Sequence, residues 1–335
     1  MRRTLSRAGL SWLIVALILA ATASPASAQC AGDPCCGCSA CDAQLKSCWT
    51  VRAGMVALER ARPDAAALMT DSFAPGGTVL VDAADHRFGF ELGPDLTVIR
   101  HGQNVELEFR WFQVHDWIAA TPTVASPAGG VVPFVTPVGN PFFPANLSSR
   151  YVSWLDSFEL NLRRPLNGWV SALAGFRYVQ LNEQGLAVTH DIGPGLNTAT
   201  YAVDAANGLY GFQIGLDGTI WDRGGRFHVE GFVKAGIYGD DARSRVAIAQ
   251  TVGPAFGSAA ASTHAAFAGE LGVTAVYQVN PHLAVRGGYQ LTWIEGVALA
   301  SEQIAVSDPA TGAGRIDLTG SPFYHGFTLA AELCW

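Results

Sequence analysis

The sequence predicts an all-β fold, a transmembrane antiparallel up-and-down β-barrel of about ten strands. Three observations predict it. Apolar and polar residues alternate along ten segments, as expected for strands with one apolar and one polar face. The connections between these segments alternate between short turns and long stretches, which is typical of membrane barrels. Aromatic residues cluster near the segment ends, where such barrels carry their interfacial girdles.

Composition excludes two classes of protein. The 335 residues are 49% hydrophobic and only 15% charged, with a net charge of −7. Disordered chains need low hydrophobicity and high charge, so disorder is excluded. Nucleic-acid binders need clustered Lys and Arg, and this acidic chain has no such cluster after its N-terminus. No nucleic-acid partner is therefore expected.

The N-terminus has the pattern of a secretory signal peptide. Three arginines precede an apolar run from Leu10 to Ala23, and Ala26-Ser27-Ala28 forms a cleavage site before Gln29. The run has the length of a signal-peptide core rather than of a spanning helix. We therefore interpret residues 1–28 as a removed signal peptide. An uncleaved anchor and a lipoprotein signal at Cys30 are the alternatives.

The cysteines predict disulfides more strongly than a metal site. Six of the seven lie within residues 30–48, and their C-x-x-C steps are too compressed for a two-knuckle zinc site. We interpret residues 29–47 as a Cys-rich periplasmic segment and residues 48–335 as the barrel, without metal or other cofactor. Pairing of the first and last strands brings Cys48 and Cys334 to one rim. A disulfide between them is a hypothesis, beside free or differently paired thiols.

The connections set the orientation of the barrel. Short links are predicted at 100–103, 164–168, 222–226 and 280–282, and long ones at 60–87, 115–150, 183–206, 241–265 and 298–322. Short turns face the periplasm in such barrels and long loops face outward. The pattern therefore puts both termini in the periplasm and the barrel in the outer membrane. Twelve strands result if residues 78–81 and 131–135 also span.

Aromatic residues mark both predicted interfaces. The short-turn side has Trp49, Trp169, Trp221, Phe227, Tyr277 and Trp335, and the long-loop side has Phe88, Trp111, Tyr210, Phe267, Trp293 and Phe323. Trp335 closes an alternating final strand, as in the C-terminal signal of outer-membrane barrels. The expected partners are therefore outer-membrane lipid and the barrel-assembly machinery. The pattern leaves the oligomeric state open.

Charged residues fall on the inward parity of the predicted strands, because charges facing lipid are costly. The predicted lumen-lining residues are Arg52, Glu91, Asp95, Glu106, Glu108, Arg110, Arg177, Asp217, Glu230, Lys234, Glu270, Arg286 and Glu332. A ten-stranded barrel is narrow, so these charges are expected to pair and fill the lumen. The alternative is a small pore with mild cation preference, because acids outnumber bases on this parity.

The sequences of several predicted strands resemble those of a known protein family. Residues 48–60 (CWTVRAGMVALER), 158–165 (FELNLRRP), 175–183 (GFRYVQLNE) and the run 209–239 resemble the planctomycete BBP-type outer-membrane β-barrel family. That family is similar to the Legionella-type pore-forming outer-membrane proteins. The Cys-rich stretch after the signal peptide is similar as well. The resemblance covers residues 30–335 and implies an outer-membrane barrel that can be a pore; it supplies no catalytic residues.

The predicted function is a narrow pore or a structural, surface-exposed protein, and not an enzyme. One alternative is a barrel hydrolase with Asp/His pairs at its outer rim, for which Asp85-His86, His115-Asp116, His190-Asp191 and Asp240-Asp241 are the candidates. Another is an adhesin that binds through its long loops. The alternating connection lengths argue against a soluble β-protein.

Overall fold

The computed structural model describes residues 49–71, 78–126, 130–131, 145–191, 198–251 and 253–335. The strands in these ranges are β1 (Trp49–Arg60), β2 (Ala67–Asp71), β3 (Val79–Asp82), β4 (Phe90–Arg100), β5 (Glu106–Ala120), β6 (Val124–Ser126), β7 (Gly130–Val131), β8 (Ala145–Pro165), β9 (Val170–Asp191), β10 (Thr198–Asp222), β11 (Phe227–Gln250), β12 (Phe256–Asn280), β13 (Leu283–Glu295) and β14 (Phe323–Cys334). A 3-10 helix spans Ala83–Asp85, and an α-helix spans Ala300–Val306. Within the described ranges, helical residues form no segment that could span a bilayer.

Ten strands close into an antiparallel barrel. They neighbour one another in the order β1-β4-β5-β8-β9-β10-β11-β12-β13-β14, and β14 pairs with β1. Thr50 lies opposite Cys334 in this closing pair. Closure satisfies the backbone groups that an open sheet edge would expose to lipid. The predicted ten-stranded barrel is confirmed.

The twelve-strand alternative is wrong. Residues 79–82 form β3, which pairs with β2 and not with the barrel. Val131 pairs with Thr70 of β2 in the same small sheet, while 132–135 lie outside the described residues. Both segments pair with β2 in a small sheet that is separate from the barrel sheet, so they do not extend the barrel ladder.

The four short connections lie where the sequence predicts them, at 101–105, 166–169, 223–226 and 281–282. Two of the predicted long loops are mostly strand. β9 continues to Asp191 before β10 begins at Thr198, and β11 continues to Gln250 before β12 begins at Phe256. These extensions are rich in Ala, Ser and Thr, so the difference in polarity between alternate residues is small. They remain strands because the ladder pairs their backbone groups and because their inward faces are buried.

The barrel has an apolar outside and a charged inside. Phe212 is 78% exposed and Ile237 is 71% exposed on the outer face, whereas the inward Glu159 and Glu270 are almost completely buried. This inverted pattern is that of a barrel surrounded by lipid. On the five longest strands the exposed large apolar side chains end, on the loop side, at Phe158, Phe176, Tyr210, Ile237 and Leu271. Residues well beyond this level, and the described parts of the connections 61–89 and 296–322, lie outside the membrane-spanning segments.

The short-turn girdle carries exposed aromatic side chains, such as Trp169, which is 71% exposed. At the other end one predicted girdle residue is misplaced. Phe88 is buried, and its ring packs edge-on against Tyr151 at 5.7 Å between centroids. The chain turns inward before β4, so this aromatic residue joins the interior instead of the lipid interface.

The interior at the loop end is an apolar core. The Trp117 side chain is completely buried and donates from Nε1 to the Leu58 carbonyl at 2.8 Å. The connection 61–89 contributes Met69 and Val81 to this core. The connection 296–322, which we call the crossing segment, contributes residues 297–300, none more than 3% exposed. This end of the barrel is therefore filled.

Candidate functional site

A network of buried ion pairs, the lumen network, fills the middle of the barrel. Glu159 on β8 accepts from Lys234 Nζ at 2.7 Å. Glu270 on β12 lies 2.9 Å from Arg177 Nη1 and also accepts from Arg110 on β5. Because β5 and β12 are not neighbours in the sheet, the Arg110–Glu270 pair must cross the interior. The centre of the barrel is thus occupied by protein charges.

The network continues toward the short turns. Arg163 pairs with Glu106 at 3.0 Å and with Glu108 at 3.4 Å. Arg286 pairs with Glu332 at 2.8 Å, and the same carboxylate lies 2.6 Å from Arg52 Nε. Paired charges of this kind contribute little net stability, but a charge left without its partner is costly. The alternation of acid and base therefore makes each member hard to remove.

Almost all predicted lumen-lining residues belong to this network. Those in its ion pairs are Arg52, Asp95, Glu106, Glu108, Arg110, Arg177, Asp217, Glu230, Lys234, Glu270, Arg286 and Glu332. Glu91, the remaining one, is half-buried and lies opposite Leu58. Whether any of them contacts a solute stays a prediction. Glu159 and Arg163 belong in the same set by their inward parity.

A cavity of about 900 Å³ opens at the short-turn end, and we call it the vestibule. Its charged wall residues include Arg52, Glu106, Arg163, Asp217 and Glu230. A smaller cavity of about 120 Å³ shares three of these residues and reaches Arg110 and Lys234 of the lumen network. The hydrated polar space thus extends from the short turns to the network.

The crossing segment is anchored on the opposite wall by a buried carboxylate. Glu183 on β9 accepts from Arg60, from the Tyr151 hydroxyl and, at 3.1 Å, from the Ala300 backbone N–H. Asn207 forms a second anchor through two 2.8 Å bonds with the backbone of Ala298. The segment leaves β13 and reaches Tyr151 on β8, five strands away in a ring of ten. It therefore spans the loop end.

Burial and charge shift the titration of this anchor. Burial lowers the pKa of Arg60, but the charges of Glu183, Tyr151 and Tyr324 and the hydrogen bond to Glu183 together outweigh burial and hold that pKa above its ordinary value. Burial and Glu183 together raise the pKa of Tyr151. At neutral pH the Arg60 guanidinium is therefore charged and the Tyr151 phenol is neutral. Sequence reasoning missed these residues, although Glu183 continues the inward parity of Leu181.

Among the residues whose side chains are described, the Asp/His pairs of the hydrolase alternative do not form one site. His115 lies 3.0 Å from Asp156, and both occupy the outward parity of β5 and β8. Asp240 faces inward on β11, four strands from β5. His86 is buried with its Nε2 2.8 Å from Ser149 Oγ, and burial lowers the pKa of this imidazole.

The remaining candidate groups have other placements. The Asp85 carboxylate accepts from the Asp82 N–H in a capping box of the 3-10 helix. His190 and Asp191 end β9, and their side chains are not among those described. In the described ranges, no group of three or more His, Cys, Asp or Glu is arranged to hold a metal ion.

Asp240 makes the stability of this end depend on pH. Burial raises the pKa of Asp240 to about 6, although His264, 3.9 Å away, partly opposes the shift. A raised carboxyl pKa means that folding favours the protonated form, so the free energy of unfolding falls as pH rises from about 4 to about 6. We expect Asp240→Asn to remove this fall and to stabilise the protein at pH 7 by about 2 kcal/mol. Urea unfolding at several pH values measures it.

A second acid extends the pH range over which stability falls, and its effect, which remains in Asp240→Asn, serves as the internal control. Burial, followed by the charges of Asp317, Glu183 and Asp64, raises the pKa of Glu302 to about 7. Asp240→Asn should therefore remove the fall that Asp240 causes and leave the fall that Glu302 causes between about 5 and 7. An unchanged pH profile in Asp240→Asn would contradict the assignment.

The cysteine and targeting predictions mainly concern residues outside the described ranges. Cys48, residues 1–28 and residues 29–47 lie outside the described residues, so the signal peptide and the Cys48–Cys334 disulfide stay predictions. Cys334 is buried at the short-turn end, and its Sγ lies 3.4 Å from Thr50 Oγ1.

Comparison with known proteins gives structural likeness alone. No family model matches the chain, and no curated protein matches it. The outer-membrane protease OmpT of Escherichia coli aligns over 86% of this chain and 96% of its own, with 9% identity and a TM-score of 0.47. The toluene transporter TodX of P. putida aligns over 85% and 89%, with 11% identity and a TM-score of 0.27. LpxR of Salmonella typhimurium aligns over 85% and 100%, with 8% identity and a TM-score of 0.27. The chain is similar to barrels of different activities, and its function has to be argued from its own interior.

Proposed function

We propose that the protein is an outer-membrane β-barrel with a sealed lumen, which serves as a structural, surface-exposed protein instead of an open pore. The observation that carries this proposal is the double seal of the interior. The lumen network occupies the centre, and the apolar core with the crossing segment fills the loop end. A hydrated ion meets paired charges first and then the packed apolar core, which the crossing segment closes through its buried anchors.

The orientation follows from the connections. Short turns face the periplasm in outer-membrane barrels. The vestibule therefore opens to the periplasm, and the filled end lies at the cell surface. The strand sequences that resemble the planctomycete BBP-type family support the same location in the outer membrane. Trp335 is 49% exposed at the rim and exchanges two backbone hydrogen bonds with Trp49.

Planar bilayers test the seal. We expect folded, signal-free protein to produce no single-channel steps at neutral pH, because both layers of the seal exclude water. A general porin reconstituted in the same lipid serves as the positive control, and a heat-modifiable gel shift verifies folding of the sample. Discrete steps with cation preference would instead establish the small pore, and steps with anion preference would contradict both.

A further inference from the structure

Four side chains form a hydrogen-bonded row in the vestibule wall. Thr50 Oγ1 lies 2.8 Å from His101 Nε2, and His101 Nδ1 lies 2.7 Å from Glu106 Oε1. The other oxygen of Glu106 accepts from Arg163 Nη1 at 3.0 Å. All four residues border the cavity of about 900 Å³. They come from β1, the turn after β4, β5 and β8, so the closed barrel brings them together.

The row fixes the proton on one nitrogen of the imidazole. A carboxylate only accepts hydrogen bonds, and Glu106 already accepts from Arg163 through its other oxygen. His101 Nδ1 must therefore carry the hydrogen that points at Glu106. In the neutral imidazole Nε2 is then an acceptor, and the Thr50 hydroxyl donates to it. This is the orientation that a general base needs toward a nucleophile.

We propose that Thr50 is the nucleophile of an acyl-transfer site, with His101 as the general base. Glu106 is a positioning residue, which holds the tautomer of His101. Glu106 and Arg163 belong to the edge of the lumen network, so the site is built onto the seal and leaves it in place. It borders the vestibule, away from the filled end.

The reaction balances without a cofactor. Thr50 Oγ attacks the carbonyl carbon of an ester while its proton passes to His101 Nε2. The ester C–O bond then breaks, and His101 returns the proton to the leaving alkoxide, which departs as an alcohol. Water activated by His101 hydrolyses the acyl–threonine ester and releases the acid and the free Thr50 hydroxyl.

The charged wall around Thr50 favours a polar carboxylic ester or lactone as the substrate. This wall carries groups of both signs, and Arg52 lies two residues along β1 on the same inward face. The Arg52 guanidinium also pairs with Glu332, and its positive charge stabilises the oxyanion of the tetrahedral intermediate. The vestibule has apolar wall residues as well, among them Ile99 and Val170, so the acyl chain is not restricted to polar groups.

A β-lactone probe tests the site in folded, detergent-solubilised protein. Ring opening transfers the acyl group to Thr50 Oγ, and peptide mass spectrometry locates the added mass. We expect labelling at Thr50, loss of that label in Thr50→Val, and retention in Thr50→Ser. His101→Gln should slow labelling about 100-fold or more. Glu106→Gln should also slow it, and Glu106→Asp should recover part of the rate, which a merely structural carboxylate would not do.

Thr97→Val is the matched control, because Thr97 is a buried inward threonine on the neighbouring strand β4. Its labelling at Thr50 should equal that of the unaltered protein. A gel-mobility check of folding accompanies every variant, and Thr50→Ser keeps the test open if Thr50→Val does not fold. An unlabelled Thr50 in the unaltered protein, or equal labelling rates in folded His101→Gln, would overturn the proposal.

Discussion

Replacing Glu183 by alanine should destabilise the filled end of the barrel by about 3–5 kcal/mol, the cost of breaking a buried ion pair. The Arg60 side chain is 1% exposed, so it would keep its charge without a partner. The Tyr151 hydroxyl and the Ala300 N–H would lose their common acceptor at the same time. Both the wall and the crossing segment depend on this carboxylate.

Two measurements follow this change. The midpoint of urea unfolding should fall, and limited proteolysis should cut within 296–322 at lower protease concentrations. Glu183→Gln should show a smaller loss, since the amide oxygen still accepts one hydrogen bond. The matched control is Gln184→Ala, one residue along β9, where an exposed amide donates to Asp204 at 2.8 Å. That control should change stability by at most about 0.5 kcal/mol. Equal effects at positions 183 and 184 would show that the carboxylate is not an anchor.

Replacing Glu159 by alanine should have a comparable effect at the centre of the barrel, about 3–5 kcal/mol. Glu159 binds Lys234 at 2.7 Å and lies 3.8 Å from both Arg110 and Arg177. Its removal leaves three buried cations with two carboxylate partners, Glu270 for Arg110 and Arg177, and Asp95 for Arg110. Mutual repulsion and lost hydrogen bonds both favour unfolding.

Reversible unfolding in lipid vesicles measures this effect. The control is Glu91→Ala, which removes an inward glutamate that takes part in none of the ion pairs found in the described ranges. We expect that control to change the free energy of unfolding by less than about 0.5 kcal/mol. If Glu159→Ala were equally mild, water or ions would have to replace the carboxylate, and the centre would not be sealed.

The alternation of residue types was enough to predict much of the fold. The side-chain period of a strand is a local property, so the sequence alone places Phe212 outward and Glu270 inward. The same local logic predicts the short turns, because Gly, Pro, Asn and Asp interrupt the alternation there. Prediction from alternation fails at 183–206 and 241–265, because the two faces of these alanine-rich strands differ little in polarity.

The residue pairs that meet across the barrel interior could not be predicted from alternation. Arg110 and Glu270 are 160 residues apart in sequence, and parity says only that both face inward. Which inward residues meet depends on how the strands stagger when the sheet closes. The same holds for Thr50 and His101, which are 51 residues apart and meet only at the closed rim.

The sequence by itself determined the ten spanning segments and the side of each that faces inward, because each strand carries its own alternating pattern. It left open whether 78–81 and 131–135 also span. Only the tertiary structure decided that the charges pair, that residues 296–322 cross the loop end, and that a threonine, a histidine and a glutamate share one cavity wall. Those facts depend on closure and on the packing of distant segments. Local pattern carries no information about either.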